Sequence, residues 1–311
     1  MELMVNVYES VDANKQKSLV IMVFFSLFIL ASAYFIARGL GLYYGYATSG
    51  GEFMGLALIF SGLSSFVSYY WSDQIILSMS GAKPADKRNY FHFYTVTENL
   101  CLAANLPMPK LYVIEDTAMN AFATGRDPNH AVVCATTGLL TNLSRTELEG
   151  VIGHELSHIS NYDIRLMSVV TVMVGMITLL GDWLMRSSWY GQRRSSREDR
   201  GSGTVFLLAG VILALLSPLI AKLIQLAISR RREYFADASS VKLTRQPSGL
   251  ISALRKLEAD VEPLEAANKA TAHLYISDPL KNRHDAIGWF AGLFNTHPPI
   301  AERVAALEKL V

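Results

Sequence analysis

The chain has 311 residues, of which 51% are hydrophobic and only 18% charged, where an ordinary soluble domain carries about 25% charged residues; its mean hydropathy of +0.25 points to contact with lipid. A net charge of +1 excludes a global basic field that would hold nucleic acid, and equally the acidic excess of a disordered tail. Two cysteines, Cys101 and Cys134, cannot build the disulfide framework of a small secreted fold, and a reducing compartment is the default expectation.

Uncharged runs come in chain order at Leu19 to Ala37, Phe53 to Ser72, Leu166 to Gly181 and Gly201 to Ala221. A charge at the centre of a spanning helix costs about 2.5–3.5 kcal/mol, so these runs are the predicted lipid-facing segments. The first, second and fourth reach the roughly 20 residues that a hydrocarbon core of about 30 Å demands. The third is only ~24 Å long as a helix and needs Trp183 to Met185 to cross fully. Ala31-Ser32-Ala33 imitates a signal-peptide cleavage site but sits inside its apolar run, so the first segment reads as a retained anchor. Lys15 and Lys17 precede that segment while Arg38 alone follows it closely, which puts the N-terminus on the cytoplasmic side. The arginine-rich loop from Arg186 to Arg200 opposes this vote and leaves the topology of the second hairpin open. The expected divisions are 1–72, a tail and first transmembrane hairpin; 73–165, a cytoplasmic part; 166–221, a second hydrophobic hairpin; and 222–311, a second cytoplasmic part.

Between the second and third runs the patterning is that of a water-facing domain. Asn89 to Asn105 predicts an amphipathic helix closed by Pro107 and Pro109. Leu111 to Glu115, Met119 to Thr124 and Ala131 to Thr137 are rich in β-branched residues and predict a small sheet. Ser144-Arg145-Thr146-Glu147 has the capping-box pattern and opens a further helix. Past the fourth run, Ser248 to Ala259, Glu265 to Tyr275 and Ala301 to Leu310 are predicted helical. The fold expected is that of a membrane protein, mainly α with a small β-sheet: four hydrophobic helices and a cytoplasmic domain.

The capped helix carries His154-Glu155-Leu156-Ser157-His158. Two histidines four apart lie on one helical face with Cβ atoms about 5–6 Å apart, and can share one tetrahedral zinc ion. Glu155, at the adjacent position, can reach a zinc-bound water without binding the metal and would act as general base. With 7 histidines in the chain, a shuffled sequence shows the pattern about once in a hundred, so chance is a poor explanation.

A catalytic zinc needs a third protein ligand and an open fourth position. The metzincin continuation is absent, since Asn161 and Ile164 stand where Gly and His would be required. Asp163 is nearest, but continuing the helix puts it about 140° round from His158, pointing away. Glu233 is the better candidate: it shares a helical face with Asp237, which can accept the free ring N–H of a ligating histidine. His158 stands about 12 Å of helix before the third run and Glu233 about 16 Å after the fourth, so a helical hairpin would deliver both to the same height above the membrane. Arg230-Arg231-Arg232 reads as an anchor for lipid headgroups.

His154-Glu155-Leu156-Ser157-His158, Glu233 with Asp237, Asn120-Ala121-Phe122-Ala123, and Thr296-His297-Pro298 with Arg303 together resemble the M48 family of zinc metallopeptidases along nearly the whole chain, and within it the bacterial heat-shock membrane proteases. The resemblance implies a gluzincin-like zincin domain with one zinc ion per chain, Glu233 as third ligand and Asp237 supporting a ligating histidine. It also implies that Asn120 to Ala123 form an edge strand pairing with extended substrate, and that His297 and Arg303 contact substrate or the oxyanion. The role it implies is cleavage of misfolded or damaged membrane proteins and other unfolded polypeptides at the bacterial plasma membrane, with the site facing the cytoplasm.

Two rival readings stand beside this one. An intramembrane zinc protease would carry its motif within an apolar span, whereas Glu147, Glu149, Asp163 and Arg165 flank the motif here. A zinc transporter would show ionisable residues inside the spans, and the four runs contain none, while a proteolytically dead scaffold would most simply have lost Glu155, which is present.

Overall fold

The computed structural model describes residues 7–44, 54–175, 230–267, 271–279 and 298–310. Two long helices come first, α1 (Val7–Tyr44) and α2 (Met54–Tyr70), packed against each other. Their polarity is inverted relative to a water-soluble pair. Asn14, Ser18, Ile21 and Phe25 of α1 and Ser61, Ser64 and Ser68 of α2 are buried, while Leu19, Val20, Phe24 and Leu27, and Leu56, Ile59, Phe60 and Leu63, face outward. Over the described residues no helix is long and apolar enough to cross a membrane. The third run is helical over residues 163–175 (α7), and its remainder and the whole fourth run lie outside the described residues.

A short helix, α3 (Ser72–Met79), leads into the part that carries the sheet. Strand β1 (Lys83–Pro84) precedes α4 (Phe91–Ala104), which ends on Asn105 at φ 52°; asparagine tolerates that left-handed cap because its short side chain bonds locally. The predicted strands are present as β2 (Lys110–Ile114), β3 (Ala121–Gly125) and β4 (Ala131–Thr136). The sheet runs β1-β2-β4-β3. β2 and β4 are parallel, with Val113 opposite Ala135, and β3 is antiparallel to β4, with Phe122 opposite Cys134. β1 escapes sequence reading because two residues, one of them proline, carry no period-two pattern.

After the single-turn-and-a-half α5 (Thr137–Asn142) comes α6 (Arg145–Ser160), whose first turn is closed as predicted by the reciprocal Ser144–Glu147 box. α6 is the central element: it packs on α4, β3, α8 (Arg230–Thr244) and α9 (Pro247–Ala259). Leu148, Val151, Ile152, Leu156 and Ile159 join Phe93, Val96, Val133, Leu250 and Leu254 in one apolar core. Among the described residues of the expected helix over Glu265 to Tyr275, a turn stands at 265–266 and Ala272–Leu274 form a single 3-10 turn, with no α-helix. Tertiary contacts override the propensity there, since Tyr275 stacks edge-on against Phe122 at 5.1 Å and Ile276 donates its N–H to the Ala121 carbonyl at 3.0 Å. The last helix, α10 (Ile300–Glu308), follows the sequence expectation and packs on α8 and α9.

Candidate metal centre

Helices α6 and α8 approach closely because glycine lines the contact. A Cβ on Gly153 would stand 2.7 Å from Ser240 Oγ, and Ser240 itself donates to the Gly150 carbonyl at 2.6 Å. That approach brings His154 and His158 on α6 to Glu233 in the first turn of α8. The two Nε2 atoms are 3.1 Å apart, His154 Nε2 is 3.6 Å from Glu233 Oε2, and His158 Nε2 is 3.7 Å from Glu233 Oε1. A tetrahedral ion with ligands at about 2.0–2.1 Å needs its donor atoms roughly 3.3 Å apart, so the triangle is close to what zinc requires. Among the described residues, these three form the group able to hold a metal ion.

The donor chemistry makes the same point. Each histidine presents its Nδ1 to a carboxylate: His154 to Asp237 Oδ1 at 2.9 Å, His158 to Asp163 Oδ2 at 3.1 Å. An ionised carboxylate only accepts, so each Nδ1 carries the proton and each Nε2 turns a lone pair into the triangle. Two lone pairs and a carboxylate, all on residues no more than 6% exposed, make an electron-rich pocket that fits a soft-to-borderline dication. Where no cation balances it, the site holds a proton instead. Burial disfavours charge on His154, but Asp237 and Glu233 outweigh it and push the imidazole up to about 9.

Glu155 is 2% exposed and follows directly on His154. Asp237 is itself clamped by Arg303: Nε donates to Oδ2 at 2.8 Å and Nη2 to Oδ1 at 2.6 Å, a two-pronged pair. Burial raises the cost of its charge, yet Arg303 and His154 hold the Asp237 carboxyl near 2. Arg303 feels the Glu233 and Glu155 charges as well.

Several sequence expectations change here. Asp163 does not point away from His158. The chain leaves the helix after Ser160 and Tyr162 adopts φ 59°, a turn that swings Asp163 back onto the ring. Arg303 is 0% exposed: besides its two bonds to Asp237 it donates from Nη1 to the Ile276 carbonyl at 3.1 Å, so in this structure it is held behind Asp237 and not presented to a substrate. Asn120, Ala121, Phe122 and Ala123 do lie at the outer strand, but all four are buried. The Ala121 carbonyl is taken by Ile276, and the Asn120 amide donates to the Ser277 carbonyl at 3.1 Å. An extended peptide can pair at that end only if the 275–277 segment gives way. Arg232 belongs to the site's surroundings rather than to a headgroup anchor, since Nη1 bonds Asp163 at 3.2 Å. His297 lies outside the described residues. Sequence reading missed Asp163 and Arg232 as partners of the site because both depend on one left-handed residue that periodicity does not encode.

A buried helix carrying two histidines four residues apart with a glutamate between them, met by a glutamate from a second helix, is an arrangement that suits a metallopeptidase. The profile of Peptidase family M48 matches residues 92–311. A protein described as "Protease HtpX homolog" from Dictyoglomus thermophilum is 44% identical over 306 residues, covering 97% of this chain and 94% of its own. One of the same description from Thermoanaerobacter pseudethanolicus is 42% identical, covering 97% of each, and one from Streptococcus uberis is 39% identical, covering 97% and 99%. The chain belongs to peptidase family M48, and it is a metallopeptidase. Among solved structures, that of S. mikatae Ste24p aligns with a TM-score of 0.48 at 19% identity, over 96% of this chain and 67% of that one.

Proposed function

We propose that this chain is a zinc-dependent integral membrane endopeptidase that cleaves misfolded or damaged membrane proteins and other unfolded polypeptides, with its site on the cytoplasmic face of a bacterial plasma membrane. The observation that carries the chemistry is the triangle of two Nε2 lone pairs and the Glu233 carboxylate, each imidazole held from behind by its own carboxylate. One zinc ion bound there would act as Lewis acid and lower the pKa of a bound water toward 7. Glu155 takes the proton from the attacking water and hands it to the departing amine. Asp237 and Asp163 keep both rings turned so that Nε2, not Nδ1, faces the reaction. Arg303 holds Asp237 ionised and fixed, so the orientation of His154 does not drift between turnovers.

Lipid contact is supported by the inverted helix pair. Buried serines on both helices, Ser18, Ser61, Ser64 and Ser68, a Ser26–Ser65 contact between α1 and α2, and leucines exposed outside suit helices packed in hydrocarbon, where burying leucine between helices gains little. A band of Tyr69, Tyr70 and Trp71 at the end of α2 faces Arg126 and Arg165, whose guanidinium carbons sit 5.1 Å from the Tyr70 ring and 5.4 Å from the Tyr69 ring. Aromatic rings beside basic groups are what a headgroup layer selects. The full count of four spans, the cytoplasmic orientation and the four divisions of the chain belong to this proposal. So do a substrate contact by His297 and pairing of extended substrate along Asn120–Ala123.

Purified protein should hold about one zinc per chain, and Glu155→Gln should abolish cleavage of an unfolded casein-like substrate while zinc stays bound. Cleavage retained in Glu155→Gln would remove Glu155 as the base.

A further inference from the structure

Asn14 lies near the start of α1, in a different part of the sequence from every metal-facing residue, yet it is only 3% exposed. Its amide donates to Asp163 Oδ1 at 2.7 Å and to the Asn161 carbonyl at 3.0 Å. Its own Oδ1 accepts from Arg232 Nη1 at 3.3 Å, the same group that reaches Asp163. The other Asp163 oxygen takes the ring N–H of His158. The relay from the first apolar helix to a metal-facing imidazole is therefore unbroken and buried.

The corner it grips is one that needs holding. Tyr162 is a bulky residue at φ 59°, a conformation that costs on the order of 1–3 kcal/mol unless its surroundings impose it. That turn is what aims Asp163 at His158. The Asn14 bond to the Asn161 carbonyl fixes the peptide just before it, and Lys15 at 4.6 Å and Arg165 at 5.0 Å cover the Tyr162 ring. A residue that only packed α1 would need none of these polar contacts, and the Ser18 Oγ bond within α1 goes to the Asn14 backbone carbonyl, not to its side chain.

We propose that Asn14 is a positioning residue for the metal centre: through Asp163 it fixes the ring of His158, so that docking of α1 on the catalytic part and metal affinity form one coupled equilibrium. The inference rests on the reading of His154, His158 and Glu233 as metal ligands. Coupling of this kind is reciprocal, so metal tightens the docking of α1 by the factor by which docking tightens metal. Hydrogen-bond partners behind ligating histidines are worth about 10–100-fold in metal affinity; Asn14 stands one bond further out and should contribute about tenfold.

The test is a cycle of zinc dissociation constants on the purified full-length chain, measured by chelator competition. Asn14→Leu should weaken zinc binding about tenfold in the wild-type background and by about the same factor beside Asp237→Asn, which disturbs the other histidine. Beside Asp163→Ala, where the relay is already cut, it should add less than about twofold. Asn14→Ala, which adds no bulk, runs the same cycle where Asn14→Leu does not accumulate folded. Zinc should also slow amide exchange over residues 12–18 in the wild type and not in Asp163→Ala. Equal losses in every background, or no loss in the wild type, overturn the relay and leave the metal centre intact. A wild type that binds no zinc overturns the metal centre and the relay together.

Discussion

Replacing Asp237 with asparagine tests how the site is built, because one carboxylate serves two buried donors. Oδ1 accepts from both His154 Nδ1 and Arg303 Nη2, and Oδ2 accepts from Arg303 Nε. Asparagine keeps one acceptor oxygen and turns an NH2 toward groups that only donate, so at least one donor faces a donor. Arg303, 0% exposed, is then a buried guanidinium without its counter-charge. Breaking such a pair costs about 3–5 kcal/mol, which at about 2–4 °C per kcal/mol for a domain this large lowers the midpoint by roughly 6–20 °C. Loss of a carboxylate behind a ligating imidazole weakens metal about 10–100-fold, or about 1.4–2.7 kcal/mol. The fold therefore suffers more than the metal site, and saturating zinc should restore only part of the midpoint. Thermal unfolding with and without zinc, beside chelator competition, reads both effects. A variant with wild-type midpoint and wild-type affinity refutes the whole arrangement, and one that is destabilised with unchanged affinity refutes the orientation of His154 by Asp237.

Glu233→Ala should lose stoichiometric zinc and activity together, read by metal analysis of the purified protein; full zinc in that variant excludes Glu233 as third ligand. Below pH 9 a proton competes with zinc for His154, which sits at about 9 without metal, so affinity in metal buffers should climb about tenfold per pH unit and level off near pH 9. In the metal-free protein the folded-state value lies above the ordinary value of about 6.5. The stability this histidine contributes is then fully present below pH 6.5 and is lost as pH rises through about 9, which unfolding midpoints across that range will show. Burial works against the Glu147 charge, but Lys256, Ser252 and the Ser144 backbone bring its carboxyl to about 2. Its contribution should be full above about pH 4.5 and fade as pH falls toward 2, and Glu147→Ala should cost about 1–2 kcal/mol at neutral pH. Gly150→Ala would set a Cβ 2.7 Å from the Leu250 backbone nitrogen; backbone cannot yield as a side chain can, so forcing α6 from α9 should cost about 1–3 kcal/mol.

Local rules carried much of this protein without its coordinates. The capping box at Ser144, the four-residue spacing of His154 and His158, the spacing of Glu233 and Asp237, and the β-branched enrichment of β2 to β4 are all short-range patterns, and each is legible because it depends on backbone geometry set within a few residues. What the sequence could not state is set by contacts between distant segments. Continuing α6 in imagination sends Asp163 away from His158, and only the left-handed Tyr162, gripped by α1, brings it back. Arg303 looks available to a substrate until α10 packs on α8 and buries it against Asp237. Residues 265–275 look helical until Tyr275 and Ile276 are drawn onto β3. In each case a local preference worth less than about 1 kcal/mol per residue gave way to buried polar pairs and core packing worth several, and those terms depend on which elements meet in space.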